Sequence, residues 1–436
     1  MEKSDVKKYK KNVFVKLKEK NFNLWVLFFL LIYVVIIIKI ITIKQIDNTL
    51  LFGTYSILVS LYILSRFSIA YFYDPVNPDL INPNYRPTVT FVTPSKNEGD
   101  NIAKTLREML KSDYPKDKFD IIAVNDGSTD NTLDEMLKVK REAESMGIKM
   151  KVVDWKKNRG KREGMAEGVR LSKSEIILFV DSDSFIKKNT LKELVKYFQD
   201  PEIAAVAGHA DVYNSDTNLL TKMQTVRYYV AFKAYKSAEA IFGSVMCCSG
   251  CCSAYRRKYV LEVLNDWKNQ RFLGVQCTYG DDRALTNYLL EKYKTIYAPE
   301  AECYTVVPDT WKVFFKQQLR WKKSWTRESL RASVFMWKKN PIASVSFFLG
   351  VILPLLAPII VFRAIIWLPF TKEIMPWFYI FGLILMSSIY GVYYHIHKKD
   401  NLWIYGVAFA WFYSLVLIWQ LPYAILKLRD SSWGTR

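Results

Sequence analysis

Acidic residues at three points of the chain have the type and spacing for chemistry. They are Glu98 at the end of Pro94-Ser95-Lys96-Asn97-Glu98, Asp126 in Asn125-Asp126-Gly127-Ser128, and the pair Asp181 and Asp183 around Ser182. Two carboxylates two residues apart can share a hard divalent cation and its waters, and diphosphate oxygens complete such a shell. The cation then neutralises charge as the diphosphate leaves. Lys161 and Arg162, directly after Gly160, would add cationic contacts to phosphate. Plainer readings exist for each. Asp and Ser cap helices well, and Lys161 and Arg162 also suit a solvated helix start. Asp126 or Asp183 alone fits either reading; three strand ends that all finish in polar residues favour a site.

The elements that must position these groups are legible around them. Short apolar runs at Thr88–Thr93, Ile121–Val124, Lys151–Val153, Ile176–Val180 and Ala204–Ala207 predict strands. Helix-like stretches lie near 101–112, 130–146, 161–172 and 188–199. The alternation predicts an α/β fold, a mostly parallel sheet with helices on both faces. In such sheets ligands sit beyond the carboxyl ends of the strands, where all three acidic groups fall.

The flanks are of another kind. Hydrophobic residues make up 50% of the 436 and charged residues 24%, which excludes a disordered chain and a wholly membrane-embedded one. Apolar runs at Asn23–Ile43, Leu50–Ile69, Ile342–Trp367 and Trp377–Tyr394 are long enough to cross a bilayer. Leu402–Leu426 is interrupted by Gln420 and Pro422 and predicts a re-entrant or broken hairpin, with a simple span as the alternative. The net charge of +20 concentrates beside these runs, a positive-inside pattern that disfavours nucleic acid as the partner. The expected organisation is a basic N-terminus (1–22), two membrane helices (23–73), a Pro-rich linker (74–87) and a soluble domain (88–310). Amphipathic interface helices (311–340), membrane or re-entrant helices (341–428) and a short tail (429–436) follow. The expected location is the cell membrane, multi-pass, with the soluble domain and both termini in the cytosol. Six cysteines are too few for a disulfide scaffold. Cys248 and Cys251 lack a second C-x-x-C pair or a nearby His for zinc.

The acidic string resembles the family 2 glycosyltransferases, which use nucleotide-diphosphate sugars on a GT-A fold. Gly280-Asp281-Asp282-Arg283 looks like the motif that carries that family's catalytic base. Gln317-Gln318-Leu319-Arg320-Trp321 matches the Q-x-x-R-W motif of processive members such as cellulose, chitin and hyaluronan synthases. Arg271 to Gly274, Cys277 to Arg283, Asn218 to Thr221, Arg227 to Tyr229 and the terminal Trp433-Gly434-Thr435-Arg436 are similar to hyaluronan synthases. The similarity covers nearly the whole chain. Residues 246–255, MCCSGCCSAY, depart from it. They stand where hyaluronan synthases read S-G-P-L and are more like nodulation-type chitin-oligosaccharide synthases. In the family this segment lies near the acceptor sugar, which leaves the second sugar open.

The resemblance implies a role for each matched residue. Asp126 would bind the uracil ring, with Pro94, Asn97 and Glu98 shaping the nucleoside pocket. Asp181 and Asp183 would hold ribose and Mg²⁺ or Mn²⁺, Asp183 being the firmer metal ligand. Asp282, flanked by Asp281 and Arg283, would be the general base of an inverting transfer. Gln317 and Arg320 would meet the nucleotide sugar, Arg320 through its planar fork. Trp321, Cys277, Ser249 and Gly250 would line the acceptor side, although Trp321 also suits an interfacial anchor. Trp433 and Arg436 would close over bound UDP. The implied partners are UDP-sugar donors, the growing polysaccharide and the bilayer; the oligomeric state is open, and a monomer suffices. The implied product is hyaluronan from UDP-GlcNAc and UDP-GlcA. The alternatives are a chitin-type polymer, transfer of one sugar to a lipid carrier, and an inactive transporter or scaffold.

Overall fold

Runs rich in Val, Ile and Phe, each closed by a polar turn, extend into strands buried on both faces. The computed structural model describes residues 50–74 and 82–431, with Leu30, Tyr33, Val34, Ile36 and Ile37. Most of the first apolar run and of the proline linker, and the tail positions Trp433 and Arg436, lie outside the described residues.

One sheet contains β1 (Val89–Ser95), β2 (Phe119–Asp126), β3 (Lys149–Trp155), β4 (Ile176–Phe179), β5 (Ser184–Ile186), β6 (Ile203–Val212) and β7 (Ser253–Arg256). After the small hairpin of β8 (Arg271–Phe272) and β9 (Val275–Gln276), β10 (Lys294–Thr305) joins it, giving the order β3-β2-β1-β4-β7-β6-β10-β5. Neighbours from β3 to β4 are parallel, as are β6 and β10, while β7 and β5 run antiparallel to theirs. Every residue of β1 and of β6 is buried.

The longer helices are α1 (Leu50–Tyr71), α2 (Ile102–Leu110), α3 (Thr132–Ser145), α4 (Lys161–Leu171), α5 (Leu219–Val230), α6 (Arg257–Lys268) and α7 (Asp281–Leu290). Beyond the sheet come α8 (Trp311–Met336), α9 (Pro341–Phe362), α10 (Trp377–Lys398), α11 (Trp403–Leu415) and α12 (Gln420–Leu426). Among the described residues, three helical stretches are long and apolar enough to cross a membrane: Phe52–Tyr71, Pro341–Lys372 and Tyr379–Lys398. α11 and the following Leu417–Leu426 qualify only as a pair, bent by 42°.

The soluble and membrane parts interlock. Lys398 at the end of α10 pairs with Asp211 at the end of β6 (2.8 Å). Leu402 and Tyr405, at the start of the bent pair, pack on the cluster holding Val226 and Tyr229 of α5. At its other end, Tyr279 donates to the Asp430 carbonyl (3.0 Å) and Lys323 pairs with the Asp430 carboxylate (3.1 Å). Both ends of the pair thus sit beside the sheet domain. At the bend, Lys322 donates to the carbonyl of Leu417 (2.6 Å), which also accepts the Gln420 N–H of a tight turn.

The interface region is one 26-residue helix, not several. Its middle turns bury polar groups, Lys322, Lys323, Arg327 and Glu328, while Phe314 near one end and Phe335 and Met336 at the other are buried in apolar clusters and Leu330 and Val334 are exposed. Clustering of basic and aromatic residues was compatible with a surface helix. Arg327 and Glu328 pair with each other, but the remaining partners come from elements distant in sequence: Leu417 and Gln420 for Lys322, Asp430 for Lys323, the Tyr279 carbonyl for Arg327 and Gln270 for Glu328.

Candidate active site

Parallel register brings the acidic strand ends together. Ser95 pairs with Asn125 and Val92 with Phe179, so β1, β2 and β4 finish side by side. Asn97 stitches the first two ends: its N–H donates to Ser128 Oγ (3.0 Å) and its Oδ1 accepts from the Thr129 N–H (2.9 Å). The Glu98 N–H donates to Thr132 Oγ1 (2.8 Å). Asp126 accepts backbone N–H groups of Arg159 (2.6 Å) and Gly160 (2.9 Å). It therefore fixes the loop that leads into α4, where Gly160 takes φ +95°.

At the start of α4, Lys161 makes a charge-assisted hydrogen bond to Asp181. Burial and the adjacent negative charge of Asp181 push the Asp183 carboxyl up to about 7. Two acids held this way gain from a shared cation, which relieves their repulsion. Among the described residues no group of three or more His, Cys, Asp or Glu side chains is placed to hold a metal by itself. A Mg²⁺ or Mn²⁺ ion held here would take these two carboxylates as ligands and need substrate oxygens and water to complete its shell.

Gly250 sits between this pair and the next acid. Its carbonyl accepts the Asp181 N–H (3.0 Å), and its own N–H donates to Asp282 Oδ2 (3.3 Å). A Cβ there would lie 2.9 Å from both Asp181 carboxylate oxygens, so a side chain would force the acid aside. Asp282 is the second residue of α7; its Oδ1 accepts the Arg283 N–H (2.8 Å) and its Oδ2 also receives the Cys247 thiol (3.6 Å). Gly280, in the left-handed region at φ +74°, precedes it, and a Cβ there would collide with Ser324 of α8. That close crossing sets the Asp281-Asp282 end of α7 against the helix bearing Gln317, Arg320 and Trp321.

From α8, Trp321 meets Tyr228 of α5, with ring centroids 6.3 Å apart. Burial pulls the Arg320 guanidinium pKa down, while the charges of Asp282, Asp281 and Asp181 pull it up. Gln317 Oε1 and Ser249 Oγ are buried without a hydrogen-bond partner among the described residues. Polar atoms in that state call for a ligand or water.

One cavity of about 1750 Å³ takes in Pro94, Asn97, Glu98, Asp126, Lys161, Asp181, Asp183, Ser249, Gly250, Asp281, Asp282, Arg283, Gln317, Arg320 and Trp321. It continues between α1, α9, α10 and α11, where Tyr55, Ser56, Tyr62, Tyr379, Ser387, Tyr390, Tyr413 and Ser414 line it. Arg363 lines it too, 3.9 Å from the centre of the Phe52 ring.

Two expected residues fall elsewhere. Arg162 turns away from the cavity: Nε donates to Asp281 (2.8 Å), and Nη1 to the Trp267 carbonyl (2.8 Å) and Gln270 (3.2 Å). Helical geometry separates adjacent residues by about 100°, so Lys161 and Arg162 cannot both face the acids. Cys277 is buried and does not line the cavity; its backbone N–H bonds the Gln270 carbonyl (3.0 Å). Asp281, although it lines the cavity, spends one oxygen on Arg162. Sequence reasoning gave no role to Tyr228, Lys236 or Cys247, which line the same cavity. The only signal for Tyr228 lay in the Arg227-Tyr228-Tyr229 match.

Comparison with known proteins places the chain in a family. The profile described as "Glycosyltransferase like family 2" matches residues 87–324. A hyaluronan synthase of Streptococcus pyogenes serotype M3 is 30% identical over 401 residues, covering 89% of this chain and 93% of that protein. An N-acetylglucosaminyltransferase of Rhizobium meliloti is 31% identical over 353 residues, covering 80% and 82%. The mannosyltransferase PcManGT of Pyrobaculum calidifontis, solved with GDP-Man and Mn²⁺, shares the fold, with a TM-score of 0.54 at 20% identity over 83% of this chain and 98% of that one. With the profile spanning more than half of its length, and relatives at this identity along most of it, the chain belongs to the family 2 glycosyltransferases.

Proposed function

We propose that this glycosyltransferase is a membrane-embedded, processive and inverting polymerase. It joins sugars from UDP-GlcNAc and UDP-GlcA into a hyaluronan-like polysaccharide and passes the chain across the bilayer. One observation carries the reading: the cavity that holds Asp181, Asp183 and Asp282 runs on between apolar helices, where hydroxyls of tyrosines and serines are set into an otherwise mostly apolar lining. A hydrophilic chain needs such a lining, because hydrocarbon offers its hydroxyls no partners.

Asp126 keeps a second lone pair on each oxygen beyond its two backbone bonds, sufficient for a uracil N–H. Asp181 and Asp183 would hold Mg²⁺ or Mn²⁺, and when bound there the ion spreads the negative charge of the departing diphosphate. Lys161 and Arg320 contribute fixed positive charge beside it. Asp282 takes the proton of the acceptor hydroxyl as that oxygen attacks the anomeric carbon. UDP leaves from the opposite face, and configuration inverts. Trp321 offers a flat face to the acceptor sugar, and Gln317 and Ser249 offer unspent polar atoms. Ser431 lines the cavity, and Trp433 and Arg436, which follow it in sequence, would close over UDP. The catalytic domain and C-terminus lie on the cytosolic side, where the basic flanks of the helices belong.

The test is a two-donor assay on the purified full chain. UDP-GlcNAc with UDP-GlcA should release UDP and give a hyaluronidase-sensitive product. A second reading, a chitin-type synthase using UDP-GlcNAc alone, is favoured by the cysteine-rich segment around Ser249 and Gly250. It predicts a chitinase-sensitive product without UDP-GlcA.

A further inference from the structure

The thiol of Cys247 lies 3.6 Å from Oδ2 of Asp282, within the range of a sulfur hydrogen bond, and lines the same cavity. It is held there from several sides. Lys236 donates to the Cys247 carbonyl. The next residue gives its N–H to Thr286 (2.9 Å) and accepts the Tyr255 hydroxyl on its carbonyl (3.0 Å). Thr286 in turn donates to the Asp282 carbonyl (2.7 Å). Segment 247–250 and the first turn of α7 are thus one hydrogen-bonded unit. Burial and the charge of Asp282 push the Cys247 thiol up to about 11, so at neutral pH it carries its proton and donates.

We propose that Cys247 is a positioning residue for the base, its thiol and the Gly250 N–H together orienting Oδ2 of Asp282 toward the acceptor hydroxyl. The inference rests on the reading of Asp282 as base. A donor to a carboxylate stabilises the ionised form and lowers its pKa. Other groups around Asp282 set the background: Lys161 from α4, Arg320 from α8, Asp281 and Arg283 on its own helix, and Tyr255 and Cys248 from the strand and loop opposite. None of them replaces a donor lost from Oδ2.

The experiment is a pH profile of kcat/KM for the donor sugar on the full-length protein in detergent, for wild type, Cys247→Ala, Cys247→Ser and Asp282→Asn. Cys247→Ala should lose about 3- to 10-fold in rate, a thiol being a weak donor. Its acid limb should move up by roughly half a pH unit or more, because a base without its donor holds its proton to higher pH. Cys247→Ser should restore both. A rate loss in Cys247→Ala with an unmoved acid limb, or no restoration by serine, overturns the proposal and leaves the cysteine a packing residue. Substantial activity in Asp282→Asn would defeat the base assignment instead, so the two failures are distinguishable.

Discussion

Asp181 and Asp183 concentrate the chemistry of the site, and their environment makes it testable. Free of a cation, the folded protein keeps the Asp183 proton to about pH 7, against 3.8 for the ordinary carboxyl. Between those values the unfolded chain has released a proton that the native state retains, so rising pH costs stability. In chelator, the thermal midpoint should therefore fall as pH rises from about 4 to 7. Added Mg²⁺ or Mn²⁺ should recover most of that loss at pH 7.5 and little at pH 5, and Asp183→Asn should flatten both trends. A scanning-fluorimetry series checks this; cation independence at all pH values would remove the metal from the site. These acids were legible because their type and the strand ends around them are local facts. Arg162 and Cys277 were not, because a side chain's destination depends on which helix or strand stands opposite.

Arg162 shows what the helices contribute. It joins α4 to the start of α7 through Asp281, and Gln270 carries the connection to Glu328 of α8 (3.0 Å), where Arg327 also binds (2.7 Å). The side chains of Arg162 and Asp281 are only 6% and 3% exposed, so removing one leaves the other buried and uncompensated. Arg162→Met should cost about 3–5 kcal/mol in unfolding measurements. Arg162→Met with Asp281→Asn should cost less than Arg162→Met alone, with the KM for donor little changed in the folded fraction. Unchanged stability with a raised donor KM would instead return Arg162 to the diphosphate. The helix carrying Gln317 to Trp321 was legible by its motif and its aromatic spacing, yet its buried polar face was not. Hydropathy marks which residues avoid water, and Lys322, Lys323, Arg327 and Glu328 are buried only because partners from elsewhere satisfy them. β10 was missed for a related reason: Pro299, Glu300 and Glu302 break its apolar run, and its pairing with β6 shifts register there.

In the whole molecule, the cavity couples the site to the helices that enclose it. If the chain leaves through it, proteoliposomes with the sheet domain outward should accumulate polymer inside. That polymer should resist added hyaluronidase until detergent opens the vesicle, whereas polymer digested at once would mean release on the catalytic side. The bent pair α11–α12 meets the sheet domain at both ends, through Leu402 and Tyr405 at its start and through Asp430 after its end. The sequence by itself determined the α/β domain, the family, the apolar runs and the identity of the acids, because strand periodicity, motif spacing and hydropathy are properties of short stretches of chain. Only the tertiary structure decided that Arg162 braces the start of α7 while Lys161 faces Asp181, that a cysteine touches Asp282, and that the acids and the apolar helices share one cavity. Those facts are contacts between residues tens to hundreds of positions apart, and packing of the finished fold alone brings them together.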